Sequence, residues 1–137
     1  MHEWALAESV VESVREECEK NGGRSVLSVK LLFGELQNID KDIFFEGLSE
    51  FLADLPFSAD VFHIETEPVL FACRACEREW GFADLKESGP AESEREAIHF
   101  IPESACAYIA CPSCGVRDFS VKKGRGVTIE AIEIERD

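Results

Sequence analysis

The chain has 137 residues and a formal net charge of −14, because 14 lysines and arginines stand against 28 aspartates and glutamates. Hydrophobic residues make up 45% of it, so the acidity belongs to the surface of a folded protein and does not indicate disorder. A surface this acidic repels phosphate backbones and anionic lipid headgroups, which argues against nucleic-acid and membrane partners.

The sequence also predicts the compartment. Met1-His2-Glu3-Trp4 lacks the basic and apolar regions of a signal peptide, and no apolar run approaches the roughly 20 residues that span a bilayer. We therefore expect a cytoplasmic protein. Since a reducing compartment disfavours disulfides, its six cysteines are expected to bind metal, act in catalysis or pack in the core.

Residues 1–70 predict the order helix, strand, helix, strand. The first helix runs from Trp4 to about Lys20, where apolar residues recur every three or four positions. Alternating apolar residues predict a strand over 27–33, with its buried face formed by Leu27, Val29, Leu31 and Phe33. A second helix runs from its N-cap, Asp40, to Leu55, and a second strand follows over 59–67.

Residues 127–135 predict a third strand, although the apolar pattern changes parity between Ala131 and Ile132, as a β-bulge would cause. A two-stranded core is thin, so we expect this strand to return and pair with the first two. The predicted fold class is α+β: a mixed domain of two helices and a three-stranded sheet, with an inserted zinc-ribbon-like domain. The first domain would span residues 1–70 plus 124–137, and the insertion residues 71–123.

The predicted insertion differs in character from its surroundings. Residues 71–123 contain short strand-like runs and no helical period, together with all the cysteines that are paired by spacing. Residues 84–97 within it are mostly polar and include Gly89-Pro90. We expect that segment to be a mobile surface loop.

Two Cys-x-x-Cys pairs are the strongest chemical signal. They consist of Cys73, Cys76, Cys111 and Cys114. Each pair can present two thiolates to one tetrahedral ion, and four thiolates leave zinc no open position with which to activate water. Such a site stabilises the fold. Gly115 after the second pair can adopt positive φ, whereas the first pair is followed by Glu77. Redox chemistry, or an electron-transferring iron at the same thiolates, is the alternative interpretation.

The N-terminus is a second set of metal-binding atoms. The α-amine of Met1, with the amide nitrogen and Nδ1 of His2, can close a five-membered and a six-membered chelate ring on one ion. Three nitrogens in a plane suit Ni(II) or Cu(II) and not tetrahedral zinc. Glu3 adds a carboxylate beside them. Taken alone, a histidine at this position is more often a residue of a solvated chain end.

Taken in order, these motifs resemble a known family. Met1-His2-Glu3 opens an amphipathic helix, a strand ends at Gly34-Glu35-Leu36, two Cys-x-x-Cys pairs follow, and a strand closes the chain from Gly126-Val127. In this order and spacing, essentially the whole chain resembles the HypA/HybF family of nickel metallochaperones. The segment Ile98-His99-Phe100-Ile101-Pro102-Glu103 resembles the insertion of the archaeal form.

The resemblance implies a carrier that delivers Ni(II) during maturation of [NiFe]-hydrogenase, and not an enzyme. It implies two partners, a HypB-type nucleotide hydrolase and the hydrogenase large subunit. Nickel, as transient cargo, would be bound by Met1, His2 and Glu3, and His99 can complete the site in the archaeal form. Structural zinc would be held by Cys73, Cys76, Cys111 and Cys114. A discontinuous first domain is also compatible with a domain-swapped homodimer.

The remaining candidate residues are interpreted as structural. His63, Cys18 and Cys106 are expected to be packed or exposed bystanders, Trp4 to anchor the core, and Glu35 to lie at a solvated strand end. Two other functions remain as alternatives. One is a rubredoxin-like iron electron carrier, which would be coloured, and the other is a zinc-ribbon adaptor protein.

Overall fold

The computed structural model describes residues 2–136, apart from the side chains of residues 86–88 and 102–103. The chain forms two compact units. The first contains the residues up to Leu32, Ile39–Glu65 and the residues from Thr128 onward, and the second contains Phe33–Asn38 and Thr66–Val127. Relative to the domain bounds expected from the sequence, residues 33–38, 66–70 and 124–127 pack in the second unit. No described helix is long and apolar enough to cross a membrane.

The helices and strands are, in chain order, α1 (Glu3–Lys20), β1 (Gly23–Gly34), α2 (Lys41–Phe51), β2 (Phe62–Glu67), β3 (Leu70–Cys73), β4 (Glu79–Trp80), α3 (Glu92–Phe100), β5 (Phe119–Lys123) and β6 (Val127–Arg136). One sheet has the strand order β2-β1-β6, and the other has the order β4-β3-β5. The expected α+β class is therefore confirmed, including the return of the last strand to the first sheet.

The buried stripe of α1 begins at Glu3 and not at Trp4. Its buried side chains are Glu3, Ala7, Val10, Val11, Val14 and Cys18. Trp4 is 45% exposed, and its ring lies edge-on to Phe51, with 6.2 Å between the ring centroids. The expectation that Trp4 anchors the core is wrong, because Glu3 occupies the position of the helical stripe that faces the interior.

Burial along β1 also departs from the prediction. Val26 and Val29 are buried, whereas Leu27 is 51% exposed. A spacing of three between buried residues breaks the alternation of a regular strand. The strand therefore changes the parity of its buried face, and Leu27 does not belong to the core.

The N-cap predicted for the second helix is confirmed. Asp40 Oδ1 accepts hydrogen bonds from the N–H groups of Asp42 and Ile43 at 3.0 and 3.2 Å, which satisfies two of the unpaired donors at the start of α2. The helix ends at Phe51, earlier than the predicted Leu55.

The second unit is built on the antiparallel sheet of β3, β4 and β5. Phe71 pairs with Trp80 on one side and with Val121 on the other. The rings of Phe71 and Trp80 are fully buried, with centroids 4.7 Å apart. The rest of this core consists of Leu36, Val69, Cys73, Phe82, Leu85, Ile98, Ala105, Ile109 and Cys111.

The mobile loop expected over residues 84–97 is not what the structure contains, because most of α3 lies there. Glu94 Oε1 accepts a hydrogen bond from the N–H of Ala91 at 2.8 Å, which caps the start of this helix. Ile98 is its buried residue. A helix that buries so few apolar side chains lacks the period by which helices are recognised in a sequence.

Gly34 and Gly124 bring two backbone segments into close contact. A Cβ atom on Gly34 would lie 2.3 Å from the carbonyl oxygen of Gly124. Hydrogen bonds hold this approach, since Gly34 N–H donates to Gly126 O at 2.8 Å and Leu36 N–H donates to Gly124 O at 2.9 Å. The φ of Gly34 is an ordinary −63°. The position therefore requires the absence of a side chain, and not an unusual backbone conformation.

We expect Gly34→Ala to lower the free energy of unfolding by about 3 kcal/mol, because its methyl group forces the backbone apart. Gly22→Ala is the matched control. Gly22 has φ +72°, and a Cβ atom added there would have no neighbouring atom within 4 Å, so only its backbone strain of about 1 kcal/mol should appear. Urea denaturation followed by circular dichroism measures both. Equal losses in the two variants would contradict the proposed close contact.

Candidate metal centres

The four paired cysteines form one cluster. Their sulfur atoms all lie within 4.8 Å of one another, with 3.5 Å between Cys73 and Cys114 and 3.6 Å between Cys76 and Cys111. A tetrahedral ion with metal–sulfur bonds of about 2.3 Å requires sulfur atoms about 3.8 Å apart. The cluster therefore has the dimensions of a tetrahedral tetrathiolate site.

Both Cys-x-x-Cys pairs adopt the same turn. In each pair the N–H of the first cysteine donates to the carbonyl five residues later, which belongs to Arg78 or Val116, at 2.9 and 3.0 Å. The carbonyl of the first cysteine accepts from the N–H four residues later, which belongs to Glu77 or Gly115, at 3.1 and 2.9 Å. The backbone therefore sets the positions of the sulfur atoms.

Each turn contains a left-handed residue directly after its second cysteine. Gly115 has φ +75° and Glu77 has φ +65°. Glycine adopts this conformation without steric cost, whereas a residue with a Cβ atom does so at a cost of about 1–2 kcal/mol. Because no glycine follows the first pair, Glu77 adopts the left-handed conformation there and bears this steric cost.

The thiols of the cluster differ in acidity. Burial raises the pKa of Cys111, but backbone N–H groups in the following turn, that of Cys114 first, outweigh burial and lower this pKa to about 6. The backbone N–H of Cys76 is the largest cause that lowers the pKa of Cys73. The N–H of Val116 lowers the pKa of Cys114, but the Cys73 thiol and burial raise it to about 12. A metal ion bound by all four cysteines must displace the proton of the Cys114 thiol. Metal binding therefore releases protons and weakens at acidic pH.

The donor set fits a tetrahedral, thiophilic ion such as zinc. Four thiolates complete its coordination, so the cluster can hold an ion without leaving a position for substrate or water. The buried sulfur atoms of Cys73 and Cys111 also belong to the hydrophobic core of the second unit. An ion in this cluster would therefore stabilise the unit directly.

The N-terminal motif is only partly described. Met1, an expected nickel ligand, lies outside the described residues. His2 is exposed and occupies the N-cap position of α1, where its carbonyl accepts a hydrogen bond from Leu6 N–H at 2.9 Å. The exposed side chain of His2 thus lies directly before the first turn of α1.

Glu3 is only 4% exposed, which is unusual for a carboxylate. Its Oε2 atom accepts a hydrogen bond from the N–H of Asp40 at 2.9 Å. This contact joins the first turn of α1 to the N-cap residue of α2. Sequence reasoning placed Glu3 beside the chelate but missed the contact, because its partner is distant along the chain.

The other expected ligand, His99, lies near the end of α3 in the second unit, whereas His2 and Glu3 belong to the first. It is partly buried, and its ring lies 4.9 Å from that of Phe100. The residues expected to be bystanders do not join the cysteine cluster. Cys18 is buried in α1, and Cys106 and His63 are exposed.

Two carboxylates of the second unit have backbone roles that the sequence did not indicate. Glu35 Oε1 accepts a hydrogen bond from Val69 N–H at 2.9 Å, so the expectation of a solvated strand end is wrong. Glu67 Oε1 accepts from Gly124 N–H at 2.8 Å. A buried N–H without a strand partner needs such an acceptor.

Asn38 has a comparable role for α3. It adopts the left-handed conformation, with φ +49°, which asparagine tolerates better than most residues. Its side-chain amide donates to Glu92 Oε1 and Glu96 Oε2 at 3.0 and 2.7 Å. One side chain therefore holds two successive turns of the helix.

Comparison with known proteins identifies the family. The family model described as "Hydrogenase/urease nickel incorporation, metallochaperone, hypA" matches residues 1–134. The hydrogenase maturation factor HypA of Pyrococcus horikoshii is 43% identical over 100% of this chain and 98% of its own length. That of Methanopyrus kandleri is 30% identical over 98% of this chain and 94% of its own length. The chain belongs to the HypA family.

The resemblance drawn from the motifs is thereby confirmed. HypA proteins are nickel metallochaperones and hydrogenase maturation factors, so the chain is a maturation factor that works with other maturation proteins, and not an enzyme. The solution structure of the Ni metallochaperone HypA from Helicobacter pylori is 19% identical, covers 100% of both chains and has a TM-score of 0.61. At this identity the likeness shows the fold alone.

The left-handed conformations of Glu77 and Gly115 should have opposite effects on stability when the two residues are substituted. We expect Glu77→Gly to leave stability unchanged or to raise it by up to about 1 kcal/mol, since relief of left-handed strain exceeds the entropic cost of glycine. Gly115→Ala should do the opposite and cost about 1 kcal/mol, because Gly115 has the same conformation with open space around it. Thermal unfolding of the metal-loaded protein measures both. A clear destabilisation by Glu77→Gly would mean that its side chain has another role.

Proposed function

We propose that this HypA-family protein binds one Ni(II) ion at its N-terminus and delivers it during maturation of [NiFe]-hydrogenase, while its four cysteines hold a structural zinc ion. The proposal of a nickel site rests on the difference in exposure between two neighbouring residues. His2 is exposed, and Glu3 is buried and anchored to Asp40. The imidazole of His2, which can bind metal, is thus exposed to solvent next to a residue that anchors the start of α1.

The nitrogen donors would be the α-amine of Met1 and the amide and Nδ1 atoms of His2. This set favours Ni(II), which prefers square-planar coordination, over zinc, which prefers tetrahedral coordination. The two sites therefore differ in both donor atoms and geometry. Such a difference supports loading with two different metals.

Glu3 is proposed as a further ligand. Its carboxylate lies next to the chelate in the chain and is oriented by the N–H of Asp40. His99 would complete the nickel site, as the archaeal form of the family implies.

Delivery requires release. A chelate that includes the exposed imidazole of His2 can pass its ion to a partner without unfolding. The cluster of four cysteines, in contrast, is partly buried in a core and suits a permanent ion. The amine, amide and imidazole must lose protons to bind nickel, so mild acid should release it. The proposed partners are a HypB-type nucleotide hydrolase and the hydrogenase large subunit, and the proposed location is the cytoplasm.

Metal analysis of three untagged proteins tests both sites. After equilibration with nickel and zinc, the wild type should contain one of each, and His2→Ala should contain zinc without nickel. Cys111→Ala should lose zinc and the protease resistance of the second unit, because three cysteines no longer hold the ion that stabilises the core of that unit. Stoichiometric nickel in His2→Ala at neutral pH would refute the nickel site. Visible absorption of a tetrathiolate iron would refute the assignment of zinc.

Glu3 requires a pair of variants, since it has a structural contact as well as a proposed ligand role. Glu3→Gln keeps an oxygen that can accept from Asp40 N–H but removes the charge, whereas Glu3→Ala removes both. We expect both variants to weaken nickel binding at least about tenfold, as loss of a charged ligand implies. Only Glu3→Ala should also lower the thermal stability of the first unit. Unchanged nickel affinity in Glu3→Gln would show that Glu3 only positions the chelate.

A further inference from the structure

A cleft in the second unit collects positive charge on an otherwise acidic protein. It has a volume of about 350 Å³ and is lined by Arg74, Arg117 and Arg125 together with Asp118. Three arginines against one aspartate make its local charge positive, although the whole chain carries −14. Apolar side chains, among them Phe119 and Val121, also line it.

The arginines come from three separate segments, and each segment is held by hydrogen bonds. Arg74 lies inside the first Cys-x-x-Cys turn, where its N–H donates to Asp118 O at 3.1 Å. Its guanidinium pairs with Asp118 Oδ1 at 2.6 Å. The second turn is followed by Arg117, whose Nη1 donates to the carbonyls of Cys106 and Ala107, both at 3.1 Å. Since these acceptors are neutral, they orient the guanidinium without cancelling its charge.

Arg125 is placed by a turn between two glycines. It lies between Gly124 and Gly126, which have φ +88° and +89°. Glu67 Oε1 accepts from Gly124 N–H, and the N–H groups of Leu36 and Gly34 donate to the carbonyls on either side of Arg125. The backbone of this residue therefore has little freedom.

We propose that this cleft binds an acidic peptide segment of a partner protein, with carboxylates on the arginines and an apolar side chain against Val121. Planar guanidinium groups pair with carboxylates in a bidentate manner, and the volume matches a few residues of extended chain. Nucleic acid is a poorer occupant, because a long phosphate backbone would extend beyond the cleft onto the acidic surface. The site is independent of nickel and goes beyond the metal-binding function proposed above.

The test uses the full-length, zinc-loaded protein and a synthetic acetylated and amidated peptide, Gly-Glu-Leu-Glu-Gly. A second peptide in which glutamine replaces both glutamates is the control. Binding is followed by NMR titration of backbone amides at about 0.05 M and about 0.3 M salt. We expect the acidic peptide to bind with a dissociation constant of about 1 mM or lower, to shift resonances of residues 117–125, and to weaken with salt.

Variants separate this cleft from the general effect of charge. Arg117→Gln and Arg125→Gln should each weaken binding about threefold to fivefold, and the double variant at least about tenfold. Lys122→Gln removes the same charge from β5, but Lys122 pairs with Glu79 at 2.6 Å and does not line the cleft. It should leave binding nearly unchanged. Zinc content and nickel loading should stay at the wild-type level in all variants, so a failure of this proposal is distinguishable from a failure of the metal sites.

Four outcomes would overturn the proposal. They are absence of binding at millimolar peptide, equal binding of the glutamine peptide, equal weakening by Lys122→Gln, and tighter binding of inorganic phosphate or of a short oligonucleotide than of the acidic peptide. The last result would assign the cleft to phosphate and not to a peptide.

Discussion

The close contact between Gly34 and Gly124 is the constraint on which much of the structure depends. Several of the residues that follow Gly34 contact other parts of the structure. Glu35 binds the backbone of Val69, Leu36 enters the core of the second unit, and Asn38 binds two turns of α3. Asp40 then starts α2 and donates its N–H to Glu3. The backbone and polar side chains of this short stretch thus have specific partners, residues 34–38 within the second unit and Asp40 within the first.

The two proposed metal sites meet opposite requirements by opposite means. In the cysteine cluster, paired backbone turns bring the sulfur atoms within 4.8 Å of one another. This arrangement has a cost in backbone strain at Glu77, which adopts the left-handed conformation. Four thiolates positioned by the fold suit an ion that is retained. At the N-terminus, the side chain of His2 is exposed, so an ion bound there could leave without disturbing the core.

The sequence was sufficient for features that depend on local pattern. Apolar periodicity located α1 and the three strands of the first sheet, Asp40 was recognisable as an N-cap, and the spacing of the cysteines predicted their cluster. It was insufficient where a polar residue takes the place of an apolar one. Glu3 fills a core position because a distant N–H satisfies its carboxylate, and α3 buries Ile98 while its other turns are held through Asn38. Such contacts join residues far apart in sequence, so neither helical period nor composition reveals them.

Net charge illustrates the same limit of composition. The value of −14 predicts that the protein as a whole repels long polyanions. At physiological salt, however, exposed charges are screened beyond about 8 Å, so a ligand responds mainly to the side chains that it touches. The fold gathers three arginines around one cleft although acids outnumber bases two to one in the chain. An acidic protein can therefore recognise a short acidic segment, provided that the segment ends before it reaches the surrounding carboxylates.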